Sequence, residues 1–380
     1  TGSVSALVTG SGQSVNVLAR DTLNDAVIDT SLQAGLAINI ADRTTGNGGG
    51  AMWDVVLSST VTENTFNIVQ CTGVPTLSLE LRRVSPLNVK QFGAVGDSTT
   101  DDTAAIQATY DYAASVQSAI IAVENPPTNG YLASGSKPTV HFPSGKYKLT
   151  TTVGAGGNIN TTGDRAYVFS ETLTYPLFTV SAINTEWSGL IFDGGTYHLL
   201  FGSTTRTEAS VTHVHDCEFR IAYEYCIGDD ISVHYNYPMI VRIDNCKSYG
   251  SSFAYLHNNG TFISDCWVGW DVSAQDTADN PLFDCSDPFV LRNITEVPFD
   301  GDGTGNTNRT PRIYNSDAAG IHGSRALALT CENVRFGGEA TTTPILQTNT
   351  AANQSCTVEF NNCAMFGVAD YYWAEFNGEP

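Results

Sequence analysis

Between residues 208 and 290 the chain gathers two residue classes that sugar chemistry uses. The carboxylates Glu208, Glu218, Glu224, Asp229, Asp230, Asp244, Asp271 and Asp276 lie among the flat rings of Tyr223, Tyr225, Tyr235, Tyr237, Tyr255, Trp267 and Trp270. Such rings stack on the apolar faces of sugars while their polar tips bond hydroxyls. Glycoside hydrolysis uses a pair of carboxyls about 5 to 9 Å apart, one protonated as acid and one ionised as base or nucleophile. The sharpest local pair is Gly228-Asp229-Asp230, just after Cys226, and Asp244 and Glu224 are the next choices. These four are the candidate catalytic residues. Trp267, Trp270, Tyr223, Tyr235, Tyr237, Arg242 and His215 are the candidate substrate contacts. Two acids at a turn equally serve a loop or a helix cap, and that alternative stays open for Asp229 and Asp230.

Other constellations carry less chemistry. His213 and His215 with Asp244 contain metal-ligand types, but solvated histidines on a polar face are commoner, and no metal or cofactor is assigned. Asp300-Gly301-Asp302-Gly303-Thr304-Gly305 imitates the start of a calcium loop, yet Pro311 stands where a bidentate Glu is needed, which reads as a surface loop. A lyase acting on uronic acids needs cations beside the substrate carboxylate. Outward basic residues are few, chiefly Arg220, Arg242 and Arg292, so hydrolysis is favoured over elimination.

A repeat positions these side chains. The pattern apolar, variable, Asn or Asp, apolar recurs at Val214-His215-Asp216-Cys217, Ile243-Asp244-Asn245-Cys246, Ile263-Ser264-Asp265-Cys266, Leu291-Arg292-Asn293-Ile294, Cys331-Glu332-Asn333-Val334 and Phe360-Asn361-Asn362-Cys363. Asn and Asp tolerate the left-handed conformation that a corner between strands demands, and the flanking apolar residues point inward. Each such coil buries its inner face only against its neighbours. Alternation then turns His213 and His215 outward beside Val214, Arg242 and Asp244 outward beside Ile243, and Trp267 outward beside Cys266. His215 over Asp244 and Glu218 over Lys247 become expected cross-coil neighbours, about 4.8 Å apart along the backbone. For any single pair, an exposed ion pair of small worth is commoner than catalysis.

Upstream, VKQFGAVGDSTTDDTAAIQ at 89–107 reads as a strand, a tight turn at Gly93, Gly96 and Asp97 with positive dihedrals, and a helix whose Ile106, Tyr110, Ala113 and Ala114 share one face. Asp101 and Asp102 put negative charge at the helix start. A Pro143-Ser144-Gly145 turn inside TVHFPSGKYKL at 139–149 feeds a further strand. Together these segments resemble the opening of the pectate-lyase superfamily in the form found in bacteriophage tailspikes. The resemblance implies an all-β chain: a right-handed, single-stranded parallel β-helix over 88–380, capped by the short helix within 88–150, behind a small N-terminal β domain over 1–87. It further implies a homotrimer, attachment of residues 1–87 to other phage tail or baseplate proteins, and assembly in the host cytoplasm before action at the host surface from the virion tail. Polygalacturonases share the fold and carry a Gly-Asp-Asp run in the groove, whose two acids Asp229 and Asp230 match; their downstream Gly-His-Gly is absent here.

Composition sets outer limits. With 39 acidic against 18 basic residues the formal charge is −21, which argues against nucleic acid as a partner and leans toward a neutral or mildly charged glycan. No apolar run reaches the roughly 18 residues of a membrane helix, so no membrane insertion is expected. Nine cysteines in apolar, strand-like text read as buried thiols acting as small hydrophobes. Thr1 is not methionine and no charged-then-apolar leader comes after it, so no secretion signal is read and the first residue suggests a trimmed or processed chain. The expected function is binding and depolymerisation of a bacterial surface polysaccharide, capsule or O-antigen. The alternatives are a polysaccharide lyase, a non-cleaving receptor spike and a structural appendage.

Overall fold

The computed structural model describes residues 4–8, 14–82, 85–123, 137–181, 185–202, 211–229, 240–249, 252–256, 260–271, 282–285, 289–299, 313–315, 328–337, 346–348, 357–366 and 374–376. Three sheets account for most of it. The first holds six strands in the order Val4–Val8, Ser14–Thr22, Ala37–Asp42, Gly49–Leu57, Leu77–Leu81 and Ile68–Gln70. Its inner face is Ile38, Ile40, Trp53, Val55, Leu79 and Leu81, all essentially inaccessible. Arg43 ties this sheet to the cap of the second unit, donating to the carbonyls of Phe66 at 2.7 Å, of Thr65 at 2.7 Å and of Gln91. Burial brings its guanidinium down to a pKa of about 10, still charged at neutral pH.

The cap forms as its text dictates, with one correction. Gly93 and Gly96 take φ of 107° and 70°, but the third positive dihedral falls on Ser98 at 73° and not on Asp97. Asp97 instead lies extended, accepting from the backbone N–H groups of Thr99 and Thr100 at 2.9 and 2.7 Å. Asp102 is buried and accepts from the N–H groups of Val95 and Gly96 at 2.6 and 3.1 Å, which pins the turn onto the start of helix Thr103–Val123. Ile106, Tyr110 and Ala113 of that helix are buried against the end of the β-helix, where the Tyr110 hydroxyl bonds Thr161 Oγ1 at 2.8 Å.

Beyond the cap, the chain winds as a right-handed parallel β-helix with three strands per coil. One coil is Val211–His215, a corner, Glu218–Phe219, and then Tyr225–Asp229. The first two strands of each coil join an 18-stranded sheet that bends at the corner, and the third joins a nine-stranded sheet. Inward residues stack in rows: Val214 on Ile243 on Ile263 on Leu291 on Cys331, and Ala254 on Phe283 on Ile313 on Leu346, each at most 1% exposed. The seven described free cysteines are Cys71, Cys217, Cys226, Cys246, Cys266, Cys331 and Cys363. All but the half-buried Cys363 are buried.

Every corner of the repeat has the left-handed backbone its residue type allows. Asp216, Asn245, Asp265, Asn293, Asn333 and Asn362 have φ between 50° and 55°. Their side chains bond coil to coil: Asn245 Nδ2 to Asp216, Asn293 to Asp265 at 2.8 Å, Asn333 to Asn293 at 3.0 Å and Asn362 to Asn333 at 2.7 Å. Asp265 has no side-chain N–H with which to continue the ladder onto Asn245, so a second run starts at Asp265. Replacing Asn333 by Ala removes a donor and an acceptor and leaves a Cβ residue at positive φ, for an expected loss of about 2 kcal/mol. Asn333→Gly keeps only the relaxed backbone and is expected to lose less; urea midpoints for the pair separate the two contributions.

Candidate functional site

Two rows of outward side chains run up the first strand of each coil. Glu186, His213, Arg242 and Phe262 share one row, and Ser188, His215, Asp244 and Ser264 the other. His215 and Asp244 are thus direct neighbours one coil apart, as alternation requires. Their bonds, however, run diagonally. His213 Nε2 meets Asp244 Oδ2, while His215 donates from Nε2 to Glu186 Oε1 at 3.0 Å and from Nδ1 to Asp216 Oδ2 at 2.7 Å. The two imidazole rings lie 4.5 Å apart. Burial works against the His215 imidazolium, but its bonds to Glu186 and Asp216 outweigh that and hold its pKa above the ordinary value. The same bond from His215, joined by that from Asn245, keeps Asp216 below the usual carboxylate range.

Around the corner from this face lies a cleft of about 290 Å³, lined by Arg165, Gly189, Leu190, Ile191, Asp216, Cys217, Glu218, Asn245 and Lys247. Its origin is a missing side chain. At the coil where Asn or Asp would stand, the chain has Gly189 with φ of 70°, and a Cβ there would meet the Gly163 carbonyl oxygen at 2.1 Å. The corner row is therefore interrupted between Arg165 and Asp216. In the cleft, Glu218 sits in register with Lys247 but bonds Arg165 Nη2 at 3.3 Å and Arg220 Nε at 3.0 Å. Arg220 lies 5.0 Å over the Tyr167 ring, whose hydroxyl donates to Asp193. Burial, reinforced by Asp193, pushes the Tyr167 phenol up to about 12, so it stays a donor.

The remaining expected residues are dispersed. Trp267 stands next to Lys247 in register, half-buried, its ring 4.8 Å from that of Tyr249. Arg242 and Tyr223 are exposed. Glu224 accepts from the Tyr197 hydroxyl, and Tyr197 heads a stack through Tyr225 to Tyr255. Gly228 makes room for this ring, since a Cβ there would come within 2.4 Å of it. Asp229 is paired in register with inward Phe201 and is 2% exposed, so its carboxyl sits on the core side of the third strand. Asp230, Tyr235, Tyr237 and the 300–311 segment lie outside the described residues, as does the side chain of Trp270. The described candidates thus fall into three places: Asp244 on the first-strand face, Glu224 in the turn before the third strand, and Asp229 inside it.

Glu186 and Arg165 were not expected, because the repeat was aligned on Asn and Asp alone. Trp187-Ser188-Gly189-Leu190 fits the same pattern with Gly as the left-handed residue, and admitting it carries the ladder back to both.

Residues 87–186 match the family described as rhamnogalacturonase A/epimerase, pectate lyase-like. No curated protein matches the chain by sequence. Among solved structures, the chain is similar to WceF of Pantoea stewartii, a glycan biofilm modifying enzyme with a tailspike-like fold, at 15% identity and TM-score 0.53 over 97% of this chain and 52% of that one. It is also similar to the tailspike of Acinetobacter phage vB_ApiP_P1, at 10% identity and TM-score 0.50 over 97% and 71% of the two chains. The chain has the parallel β-helix fold of these two proteins, and its pectate-lyase-like match lies within residues 87–186. It spans about half the length of WceF. In this parallel β-helix the outer face of the first two strands, from the coil of Glu186 to that of Trp267, is where histidines, carboxylates, cations and rings come together among the described residues.

Proposed function

We propose that the chain is a tailspike-like protein that binds a bacterial surface polysaccharide and cleaves it by glycoside hydrolysis on this outer face. The observation that carries the reading is His215 facing Asp244 one coil away beside the corner cleft. Each has the partner its role needs. His215, whose protonated form Glu186 and Asp216 favour, gives the Nε2 proton to the glycosidic oxygen when the sugar displaces Glu186 from that nitrogen, while Nδ1–H stays on Asp216. Asp244, oriented by His213, serves as the ionised base or nucleophile. Trp267 and Tyr249, beside Lys247, offer a ring surface for neighbouring sugars. WceF, a glycan biofilm modifying enzyme, and the tailspike of Acinetobacter phage vB_ApiP_P1 accord with this reading. The rest of the proposal is a homotrimer at the virion tail, with residues 1–87 as the attachment unit and 88–380 as the working one.

Incubation with surface polysaccharides from a panel of bacterial strains tests it. Shortened chains lacking the ultraviolet absorbance of an unsaturated uronate support hydrolysis. The same shortening with that absorbance assigns elimination, and bound but intact polymer leaves a receptor spike.

The pH dependence is set by His215. Its pKa is raised, so the protonated form is complete below the ordinary histidine range and is lost as pH climbs through the raised value. Cleavage is expected to fall on that alkaline limb. His215→Gln is expected to lower the rate and remove the limb, whereas a limb that survives the substitution belongs to another group.

A further inference from the structure

The coils nearest the cap carry a hydrogen-bonded chain that takes no part in the proposed glycan cleavage. His141, on strand Thr139–Phe142, and Thr162, on strand Asn160–Phe169, are register neighbours in the outward row that continues through Ser188 to His215. His141 Nδ1 lies 3.1 Å from Thr162 Oγ1, and His141 Nε2 lies 3.2 Å from Asp164 Oδ2. An ionised carboxylate only accepts, so the neutral imidazole carries its hydrogen on Nε2 and donates it to Asp164. Nδ1 is then a bare acceptor, and the Thr162 hydroxyl donates to it. Hydroxyl, base and orienting acid thus stand in the order that activates an oxygen nucleophile.

The local backbone explains how Asp164 reaches His141. Between the pairs Thr162↔Ser188 and Ala166↔Leu190 the register slips, so that Gly163, Asp164 and Arg165 oppose Gly189 alone. Such bulges re-aim side chains. Arg165 takes φ of 52° there, and the Ser144 hydroxyl donates to the Asp164 carbonyl at 2.9 Å, which fastens the bulge beside the first strand. Thr162 and His141 are half-buried, open to solvent on one side and held by the sheet on the other.

We infer that Thr162, His141 and Asp164 form a second catalytic site, one that hydrolyses esters of small acyl groups. Thr162 Oγ1 attacks the ester carbonyl carbon while His141 Nδ1 takes the hydroxyl proton, and Asp164 stabilises the imidazolium through Nε2–H. The tetrahedral intermediate collapses, the bond from the carbonyl carbon to the alcohol oxygen breaks, and the alcohol leaves with the proton from Nδ1. Water, giving a proton to the same nitrogen, then attacks the acyl group on Thr162; the carboxylic acid departs and the proton returns to Oγ1. The sum is ester plus water to acid plus alcohol. Ser188, the register neighbour of Thr162 on the next coil, offers its hydroxyl to the developing oxyanion. A single side-chain donor suits an ester, whose alcohol leaves readily, better than an amide. His215 and Asp244 have no role in these steps, so the inference stands or falls apart from glycan cleavage.

The test uses the full chain and p-nitrophenyl acetate, with release of p-nitrophenolate followed near neutral pH. Thr162→Val, which keeps the shape and removes the hydroxyl, and His141→Asn, which removes the base, are each expected to lower the protein-dependent rate about 10²-fold or more. Thr162→Ser should keep the activity, because a primary hydroxyl serves the same role. Asp164→Asn should lose less than His141→Asn, since the Asp164 side chain is 63% exposed and water can take its place on Nε2. A second measurement needs no substitution: an alkyl fluorophosphonate should phosphonylate Thr162 Oγ1 with loss of fluoride, and peptide mass spectrometry locates the added mass. A wild-type rate no higher than that of Thr162→Val, a rate that survives His141→Asn, or a label found only on other residues overturns the inference.

Discussion

Asp244→Asn is expected to lower polysaccharide cleavage by about 10²- to 10⁴-fold, the range for loss of a positioned acid or base, with binding and fold retained. The separation of effects comes from where Asp244 stands. Its side chain is 38% exposed and its partner His213 is 39% exposed, so the pair adds little to stability. Asn keeps the shape and can still bond an imidazole, but it can neither accept a proton nor attack a sugar. Glu332 provides the control. It lies in the same outward row, three coils on, paired with Arg292 at 2.8 Å and away from the histidines and the cleft. Glu332→Gln should therefore cleave at the wild-type rate. If Asp244→Asn cleaves normally while Glu224→Gln does not, the catalytic centre belongs to the Tyr197–Tyr225–Tyr255 side of the coil, and the pairing of His215 with Asp244 is only structural.

The largest expected effect on stability comes from Phe192→Ala, about 3 to 5 kcal/mol. Phe192 is fully buried and sits in a continuous aromatic stack, with ring centroids 5.4 Å from Phe219, 5.9 Å from His198, 6.1 Å from Phe178 and 6.4 Å from Trp187. Those partners lie on the same coil and the coils either side, so the cavity cannot be filled by one neighbour moving in. In a coil-on-coil architecture each unit is held chiefly by its neighbours, and a void here weakens two interfaces at once. His198 adds to the cost: its buried ring is held neutral, its pKa brought down to about 3 by burial, and its environment depends on Phe192 and Phe219 stacked against it. Denaturant unfolding monitored by circular dichroism measures the loss. A change under about 1 kcal/mol would mean that the stack closes over the gap.

Much of the architecture was legible because a few positions have narrow chemical requirements. A corner at φ near 55° accepts Asn or Asp far more readily than other side chains, so the repeat announced its corners, and alternation from each corner correctly turned Val214, Ile243 and Cys266 inward. Gly93 and Gly96 marked the cap for the same reason, and the misplacement of the third dihedral onto Asp97 arose because Asp tolerates that conformation better than the Ser98 that adopts it. The site was less legible. Register put His215 opposite Asp244, but which acid each histidine bonds depends on side-chain reach, and both chose diagonal partners. Asp229 looked like a groove acid from its Gly-Asp-Asp setting, whereas strand parity puts it inside with Phe201. The cleft itself arises from an absent side chain at Gly189 and a cation, Arg165, borne one coil earlier, and neither is visible in a pattern that looks for Asn and Asp.

The corner ladder also has a direction. Each of its four side-chain bonds runs from an amide nitrogen on the later coil to an oxygen on the earlier one, so the amide dipoles align head to tail with their positive ends toward the cap. Both runs end on an anion, Asp216 for the first and Asp265 for the second, where negative charge best terminates a row of such dipoles. Asp216 is also the carboxylate that grips His215. The arrangement that keeps successive coils in register therefore delivers a steady negative charge to the edge of the cleft, and the protonation of the histidine beside it is set by the architecture of the corner as much as by the residues that would touch a sugar.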